Sequence, residues 1–419
     1  MITTIQAMFD NLFDRDFILK TAKYVGAVDR VKTLHPADVV LALVCCAHGD
    51  EHRSIATARR QLLQLRGVVP EESSFYERLT PGLAVLEWLL FLRALAGANR
   101  AQRRQIARVL KMPVRDIRAV DATRVTLPAR AAGELPSTDS KLGGFKLTAT
   151  LSVLEDALVT VRFTDARQHD RKAFDLPAEF ARILFLMDRG YADHRLFADI
   201  EDGDGQFIIR LKESSQPVIR TIRSGLTRKH RGQAMNRTLP FDGVVDLDAS
   251  FSVRGAQCRL FRVVGIPVVV TKNGRSEPHY VWLATNLPAD RVSADTVGTL
   301  YRLRWTIENF FRVLKTVGRL DQLQSGNRDI IMAFIAATLL AMVLAESLCA
   351  LMREVRPTVE PSPHRVLAIL IAQLPLLIAA HGPALQLQLE SFVAALWREG
   401  LNPNPGRPYA WQQHIGSRR

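Results

Sequence analysis

The chain has 419 residues, 47% of them hydrophobic, enough for a sizeable core in one large domain with accessories or in two to three domains. Lys and Arg number 56 against 42 Asp and Glu, giving a formal charge of +14. Such a balance suits a polyanionic partner, nucleic acid before membrane, and excludes an acidic or disordered protein.

Four cysteines, Cys45, Cys46, Cys258 and Cys349, are too few for a disulfide scaffold and point to a reducing cytosol. Cys45-Cys46-Ala47-His48 lacks zinc-type spacing and reads as buried helix. The N-terminal MITTIQAMFDNLFDRDF has early acids and no long apolar run, so it does not read as a signal peptide. The uncharged run from Ile330 to Ala345 falls short of the roughly 18 to 20 residues a membrane span requires. Val366 to Ala380 is interrupted by Gln373 and Pro375, so both are expected to be core helices and no membrane partner is expected.

Residues 1 to 110 are helical in pattern, with segments near 36–47, 54–66, 74–97 and 100–110. Arg53, Arg59, Arg60 and Arg66 cluster, as do Arg100, Arg103, Arg104 and Arg108. They suit either a helical DNA-binding domain, with a helix from Ser54 as reader, or a solvated basic face. The pattern then switches to strands at 117–127, 144–154 and 157–163, rich in β-branched residues. A helix over 177–182 leads into the apolar run Ile183 to Met187, a buried central strand closed by Asp188. Gln206 to Lys212 is a further strand. Asp202-Gly203-Asp204-Gly205 before it reads as a turn, because the sixth position of a calcium loop is Phe207 rather than glycine.

From Ser214 to Phe241 there are basic residues at Arg220, Arg223, Arg228, Lys229, Arg231 and Arg237, and no acid. This arm is the strongest local sign of phosphate contact. Strands at 243–247, 258–264, 266–271 and 279–285 follow, then helices near 329–353, 364–380 and 383–397. The Pro-rich tail beyond Asn402 is basic and is expected to be extended.

Tyr301 to Lys315, YRLRWTIENFFRVLK, contains no Gly or Pro and predicts one helix. On a wheel of about 100° per residue, Leu303, Ile307, Phe310 and Leu314 share an arc of core-facing positions. Tyr301, Arg304, Glu308 and Lys315 share a second arc, about 21 Å long at 1.5 Å per residue, or six base pairs of duplex. An amphipathic surface helix would also carry such a stripe; Asp121 and Asp188 upstream distinguish the two readings. Asp121 lies inside a Val/Ile/Leu-rich strand, where a carboxylate is costly to bury unless paired or on a metal. Three strands, a helix, then a strand ending in Asp is the order of an RNase H-like core. The fold class expected is mixed α/β, an RNase H-like catalytic core with a β-rich insertion and helical N-terminal and C-terminal regions. Its expected parts are a DNA-binding region at 1–110, the first part of the core at 111–213, the insertion at 214–290, the catalytic helix at 291–328 and a helical region with a basic tail at 329–419.

Phosphodiester chemistry uses water or a 3′-hydroxyl as nucleophile, and two divalent ions serve the attacking and leaving oxygens. Mg²⁺, with Mn²⁺ as substitute, prefers carboxylate oxygens, and Asp121, Asp188 and Glu308 are the candidate ligands and catalytic acids.

Tyr301-x2-Arg304-x3-Glu308-x6-Lys315 resembles the Tyr-Arg-Glu-Lys signature of the DDE transposases of family-four insertion sequences. Asp121-Ala122-Thr123 with Leu127-Pro128 is similar to that family's first-acid block, and Asp188-Arg189-Gly190-Tyr191 to its second. Ser74 to Arg78 and Gln168-His169-Asp170 add to a resemblance that spans roughly 70–330. It implies binding of terminal inverted repeats, metal-dependent nicking, strand transfer by the freed 3′-hydroxyl, and a homodimer in a paired-end complex. It also implies DNA contacts by Tyr301, Arg304 and Lys315, and by Arg210 and Lys212. Trp282 is a candidate for stacking a flipped base; a core Trp is the simpler reading. Trp305 is expected to pack. The alternatives are a DNA-binding protein that retains the fold without turnover, and an RNase H-like nuclease without end specificity. A prokaryotic cytoplasm, at the nucleoid, is the expected location.

Overall fold

A computed structural model describes residues 1–30, 34–46, 54–67, 69–98, 113–236, 239–253, 257–272 and 275–403, without side chains at 270–272 and 275–278. The expected helix 100–110, Arg53, Arg100, Arg103, Arg104, Arg108, Arg237 and the tail beyond 403 lie outside the described residues.

The N-terminal region is helical: α1 Ile2–Leu12, α2 Arg15–Tyr24, α3 Pro36–Cys45, α4 Ile55–Arg66, α5 Glu72–Tyr76 and α6 Pro81–Ala96. Each start has a local cause. Asp14, Ser54 and Thr80 accept backbone N–H groups at the first turns of α2, α4 and α6. Gly67, at φ 69°, ends α4. The single helix expected over 74–97 is split in two. Thr80 is held extended ahead of Pro81, which opens α6, and a residue before proline is driven out of the helical region. Arg59 is tied to Glu72 and the Pro70 carbonyl, and Arg66 to buried Asp38, so these two arginines join helices to one another. Cys45 and Cys46 are buried, as their apolar setting suggests.

The sheet elements are β1 Asp116–Leu127, β2 Gly143–Ser152, β3 Ala157–Asp165, β4 Ile183–Met187, then α7 His194–Asp202, β5 Gln206–Arg210, β6 Val218–Ser224, β7 Val245–Phe251, β8 Arg259–Lys272 and β9 Arg275–Thr285. They form one sheet in the order β3-β2-β1-β4-β5-β9-β8-β7-β6. β1 runs antiparallel to β2 and parallel to β4, which is parallel to β5. β9 pairs antiparallel with β5, so residues 218–285 prolong the same sheet.

Two expectations are corrected, and one strand was not foreseen. The strands expected at 258–264 and 266–271 are one strand, because Pro267 sits inside a continuous ladder with β9 opposite Tyr280. β6 runs through the basic arm, where charge hid its β-branched residues. Residues 177–182 form no helix. Arg182 instead takes φ 58°, its N–H donating to Asp204 and its carbonyl accepting from Arg115, which aligns β4 beside β1 and β5.

The C-terminal half adds α8 Ala294–Arg302, α9 Trp305–Thr316, α10 Arg328–Val355, α11 Pro363–Ala379 and α12 Gly382–Glu399. The α10 helix is long and apolar enough to cross a membrane, yet 89% of its apolar window is buried inside the protein. β4 shows why both sheet faces are covered. Leu184 and Leu186 join the core shared with α9 and α10, while Ile183, Phe185 and Met187 join an aromatic core on the other face with Phe197, Phe207, Phe251 and Phe261.

Arg262 of β8 connects this sheet to the helices beyond it. Its buried guanidinium donates to Asp246 at 2.7 and 2.9 Å and to the Leu287 and Val292 carbonyls at 3.3 and 2.7 Å, fixing the segment that leads into α8. Arg262→Ala should destabilise the fold by about 3 kcal/mol, because Asp246 is left buried with a weakened partner set. Replacing both, as Arg262→Met with Asp246→Leu, should recover most of that loss in a denaturant melt.

Candidate active site

Asp121 sits in the middle of β1, paired with Ala149 of β2. Val120 opposite Met187 is the last pair between β1 and β4, so Asp121 and Asp188 follow side by side, Asp188 just past the end of β4 and Asp121 where β1 runs on beyond it. Asp188 then opens a short 3₁₀ turn over Arg189–Tyr191, where Tyr191 N–H donates to the Asp188 carbonyl at 3.0 Å. Strand pairing alone thus brings two acids together that 67 residues separate in sequence.

The third acid arrives on α9. The expected unbroken helix over 301–315 is instead two, with a bend at Leu303 and Arg304. The N–H groups of Leu303, Arg304, Thr306 and Ile307 each bond the carbonyl three residues back, tightening the chain there without Gly or Pro. Tyr301 therefore lies in the last turn of α8, and Arg304 is the N-cap residue of α9. Leu303, Ile307, Phe310 and Leu314 are buried as the wheel predicts, whereas Trp305 is 57% exposed and does not pack as expected.

The polar residues of this stretch turn to the acids. The Arg304 guanidinium donates to Asp121 at 3.1 Å and to Glu308 at 2.5 Å. Tyr301 donates its hydroxyl to Asp188 at 3.3 Å, and Arg210, at the end of β5, stands 3.9 Å from the same carboxylate. Asp121, Asp188 and Glu308 thus face one site. Among the described residues, however, no three acidic, histidine or cysteine side chains are close enough as they stand to hold a metal ion. Arg304 lies between two of them. Its Nε is buried without a hydrogen-bond partner among the described residues.

Burial pushes the Asp121 carboxyl up to about 6, and the charges of Asp188 and Glu308 add to that, against the Ala122 N–H and Arg304. Burial also raises Tyr301 and Tyr191 well above the ordinary phenol range, so both hydroxyls remain donors. The buried Tyr191 hydroxyl has no partner among the described residues and lies within reach of the charges on Asp121, Asp170 and Asp188. The sequence alone did not single it out as a donor, since an aromatic after Asp-Arg-Gly reads as core.

The other candidates lie farther from the acids. Lys315 is half-buried two turns after Glu308, and Lys212 is exposed just past β5. Arg228, Lys229 and Arg231 are exposed on a short 3₁₀ turn and its flank, with no ion pair among the described residues. Arg223 of the same arm pairs with Asp246 and Asp248 and is structural. Trp282 is buried, stacked on Tyr280 with centroids 5.1 Å apart, and its ring closes over Gly265, where a Cβ would lie 2.4 Å from a ring carbon. One edge of Trp282 also lines a cavity of about 220 Å³ with Lys212, Gln216, Met235 and Asn236.

Residues 112–344, more than half of the chain, match the Transposase DDE domain family. A stretch of 69 residues is 42% identical to the transposase for insertion sequence element IS421 of Escherichia coli, covering 16% of this chain and 19% of that relative. Over 241 residues the chain is 24% identical to the probable transposase for insertion sequence element IS5377 of Geobacillus stearothermophilus, covering 58% of each. The chain thus spans less than two thirds of either relative's length.

The raised Asp121 carboxyl sets a pH dependence in the protein stripped of metal by EDTA. Below its ordinary value of 3.8 the group is protonated folded and unfolded alike, so its burial costs nothing extra. As pH rises through the window up to about 6, the unfolded chain ionises first and stability falls. Asp121→Asn should therefore raise stability at pH 8 by on the order of 1–3 kcal/mol and change little at pH 4, as read from thermal melts.

Proposed function

The chain belongs to the Transposase DDE domain family, and from that premise we propose that it is the transposase of an insertion sequence. In this reading it binds the terminal inverted repeats of its element, nicks them, and joins the freed 3′ ends to target DNA. The observation that carries the reading is the single site faced by Asp121, Asp188 and Glu308, one within a central strand, one at the end of the parallel strand beside it and one on a packed helix. The strand order β3-β2-β1-β4-β5 supports an RNase H-like core, with residues 214–290 as its insertion. Tyr301, Arg304 and Glu308 acting on one site supports membership of the Tyr-Arg-Glu-Lys group of family-four insertion sequences.

The donor set fits divalent cations. Three carboxylates come from three elements, Asp121 and Glu308 sharing the Arg304 guanidinium and Asp188 standing by Tyr301 and Arg210, and the Asp121 carboxyl, raised to about 6 chiefly by burial, is a charge its fixed partners do not fully offset. Asp121, Asp188 and Glu308 would hold the ions, two Mg²⁺ or Mn²⁺ in this reading. Bound there, they would activate the attacking hydroxyl or water and stabilise the leaving oxygen. The chain's own groups divide the remaining work. β1 and β4 hold Asp121 and Asp188 rigidly, and Tyr301 orients Asp188 by its hydroxyl. Arg304, freed from the acids, would have its full fork of donors for a DNA phosphate or a displaced base.

DNA would approach across Arg210, Lys212 and Lys315, with Arg228, Lys229 and Arg231 on the backbone beyond. The cavity that Trp282 lines would take a base beside its ring. Residues 1–110 would add end recognition, and 329–419 would support the core. A homodimer would pair two ends, in the cytoplasm of a prokaryote.

Cleavage of a labelled terminal repeat in Mg²⁺ or Mn²⁺ tests the enzyme. Glu308→Ala should bind the end normally and nick about 10²-fold more slowly or worse. Undiminished nicking would remove Glu308 from the mechanism, and cleavage without joined products would favour a simple nuclease. In a separate titration, replacing Arg228, Lys229 and Arg231 by Ala should flatten the salt dependence of DNA affinity by about 0.9 log units for each phosphate these side chains neutralise. An unchanged slope would mean that this turn does not touch DNA.

A further inference from the structure

Phe145 and Leu147 of β2 face the core shared with α9 and α10, so alternation turns Lys146 between them to the opposite face of the sheet. There its side chain is 4% exposed, and its ammonium donates to Asp170 at 2.6 Å and to the Gln168 carbonyl. A lysine buried that deeply is tolerated only with its charge paired.

The other oxygen of Asp170 points at Gly190. A Cβ on Gly190 would lie 2.7 Å from Asp170 Oδ2, so the carboxylate is seated directly on the glycine. Gly190 belongs to the turn that begins at Asp188. Two further interactions hold the same pieces together, Arg171 with Asp193 at 3.5 Å and Phe174 edge-on to Tyr191 at 5.9 Å. At its other end Lys146 pairs in the ladder with Arg124, three residues along β1 from Asp121. A continuous path therefore runs from the strand that carries Asp121, through Lys146 and Asp170, to the turn that carries Asp188.

If this pair served stability alone, an apolar pair of similar volume would replace it at little cost. Its place argues for more. We propose that Lys146 and Asp170, seated on Gly190, are positioning residues that fix the Asp188 turn against β1, and so set the spacing of Asp121 and Asp188 on which cation binding depends. The proposal rests on the reading of Asp121, Asp188 and Glu308 as a cation site.

The test titrates the full chain with Mn²⁺ alone, by calorimetry or by the loss of the free-ion paramagnetic signal, beside a thermal melt of each variant. Lys146→Met with Asp170→Asn removes both charges and leaves neither buried alone. It should melt near the wild-type temperature, yet bind Mn²⁺ about tenfold more weakly. Gly190→Ala keeps both charges and displaces the carboxylate, and should weaken Mn²⁺ binding to a similar degree. Asp121→Asn, the control, should lose the ion. Wild-type Mn²⁺ affinity in the pair variant and in Gly190→Ala, with affinity lost in Asp121→Asn, would overturn the positioning role and leave the cation site standing. Wild-type affinity in Asp121→Asn as well would remove the cation site, and the positioning role with it.

Discussion

A carboxylate held in the middle of a central strand is the constraint from which the rest of this structure follows. Asp121 is paired with Ala149 of β2, one residue past the last pair with β4, and is largely withdrawn from water, so its charge is expensive and its position cannot adapt. The fold meets that cost with an N–H from Ala122 and a guanidinium from Arg304, and both leave the carboxyl above its ordinary range. A protein selected for stability alone would place an apolar residue there. An unfavourable charge kept on a rigid element is the pattern expected of a functional site.

The sheet converts that local cost into geometry. Because β4 is parallel to β1 and ends one pair earlier, the next residue on each strand is an acid, and the two lie side by side without any long-range adjustment. The helix α9 packs its apolar stripe against the same sheet and presents Glu308 beside them. The strands from 218 to 285 continue the sheet rather than hanging from it. Arg262 uses this continuity to fix the segment entering α8, so the strands 218–285 are tied to the helices that follow.

Much of this was legible in the sequence. The β-branched stretches gave β1 to β3 to within a few residues, and the apolar run before Asp188 gave β4, a buried strand with an acid at its end. The stripe of Leu303, Ile307, Phe310 and Leu314 gave the packed face of α9. The bend at Leu303 and Arg304 was not legible, because it is made by three-residue hydrogen bonds in a stretch with no glycine or proline. An ideal wheel therefore joined Tyr301, Arg304 and Glu308 for a reason the backbone does not follow, although their side chains do converge. β6 was hidden by arginines that interrupt its alternation, and α7 by its mixed composition. The Lys146 and Asp170 pair did leave a trace, a lone lysine in a strand otherwise apolar or small, but one sequence does not say where its partner sits. Arg59 and Arg66 look like DNA-facing charge until their partners are seen.

If Asp121, Asp188 and Glu308 hold a cation together, Arg304, which now bridges Asp121 and Glu308, must give way to it. The most direct measurement is a crystal structure of the protein grown with Mn²⁺ and recorded at the manganese absorption edge. Anomalous density is expected among these three carboxylates, within about 2.2 Å of their oxygens, with the Arg304 guanidinium withdrawn from Asp121. Manganese bound elsewhere, with Arg304 still on both acids at saturating ion, would contradict it.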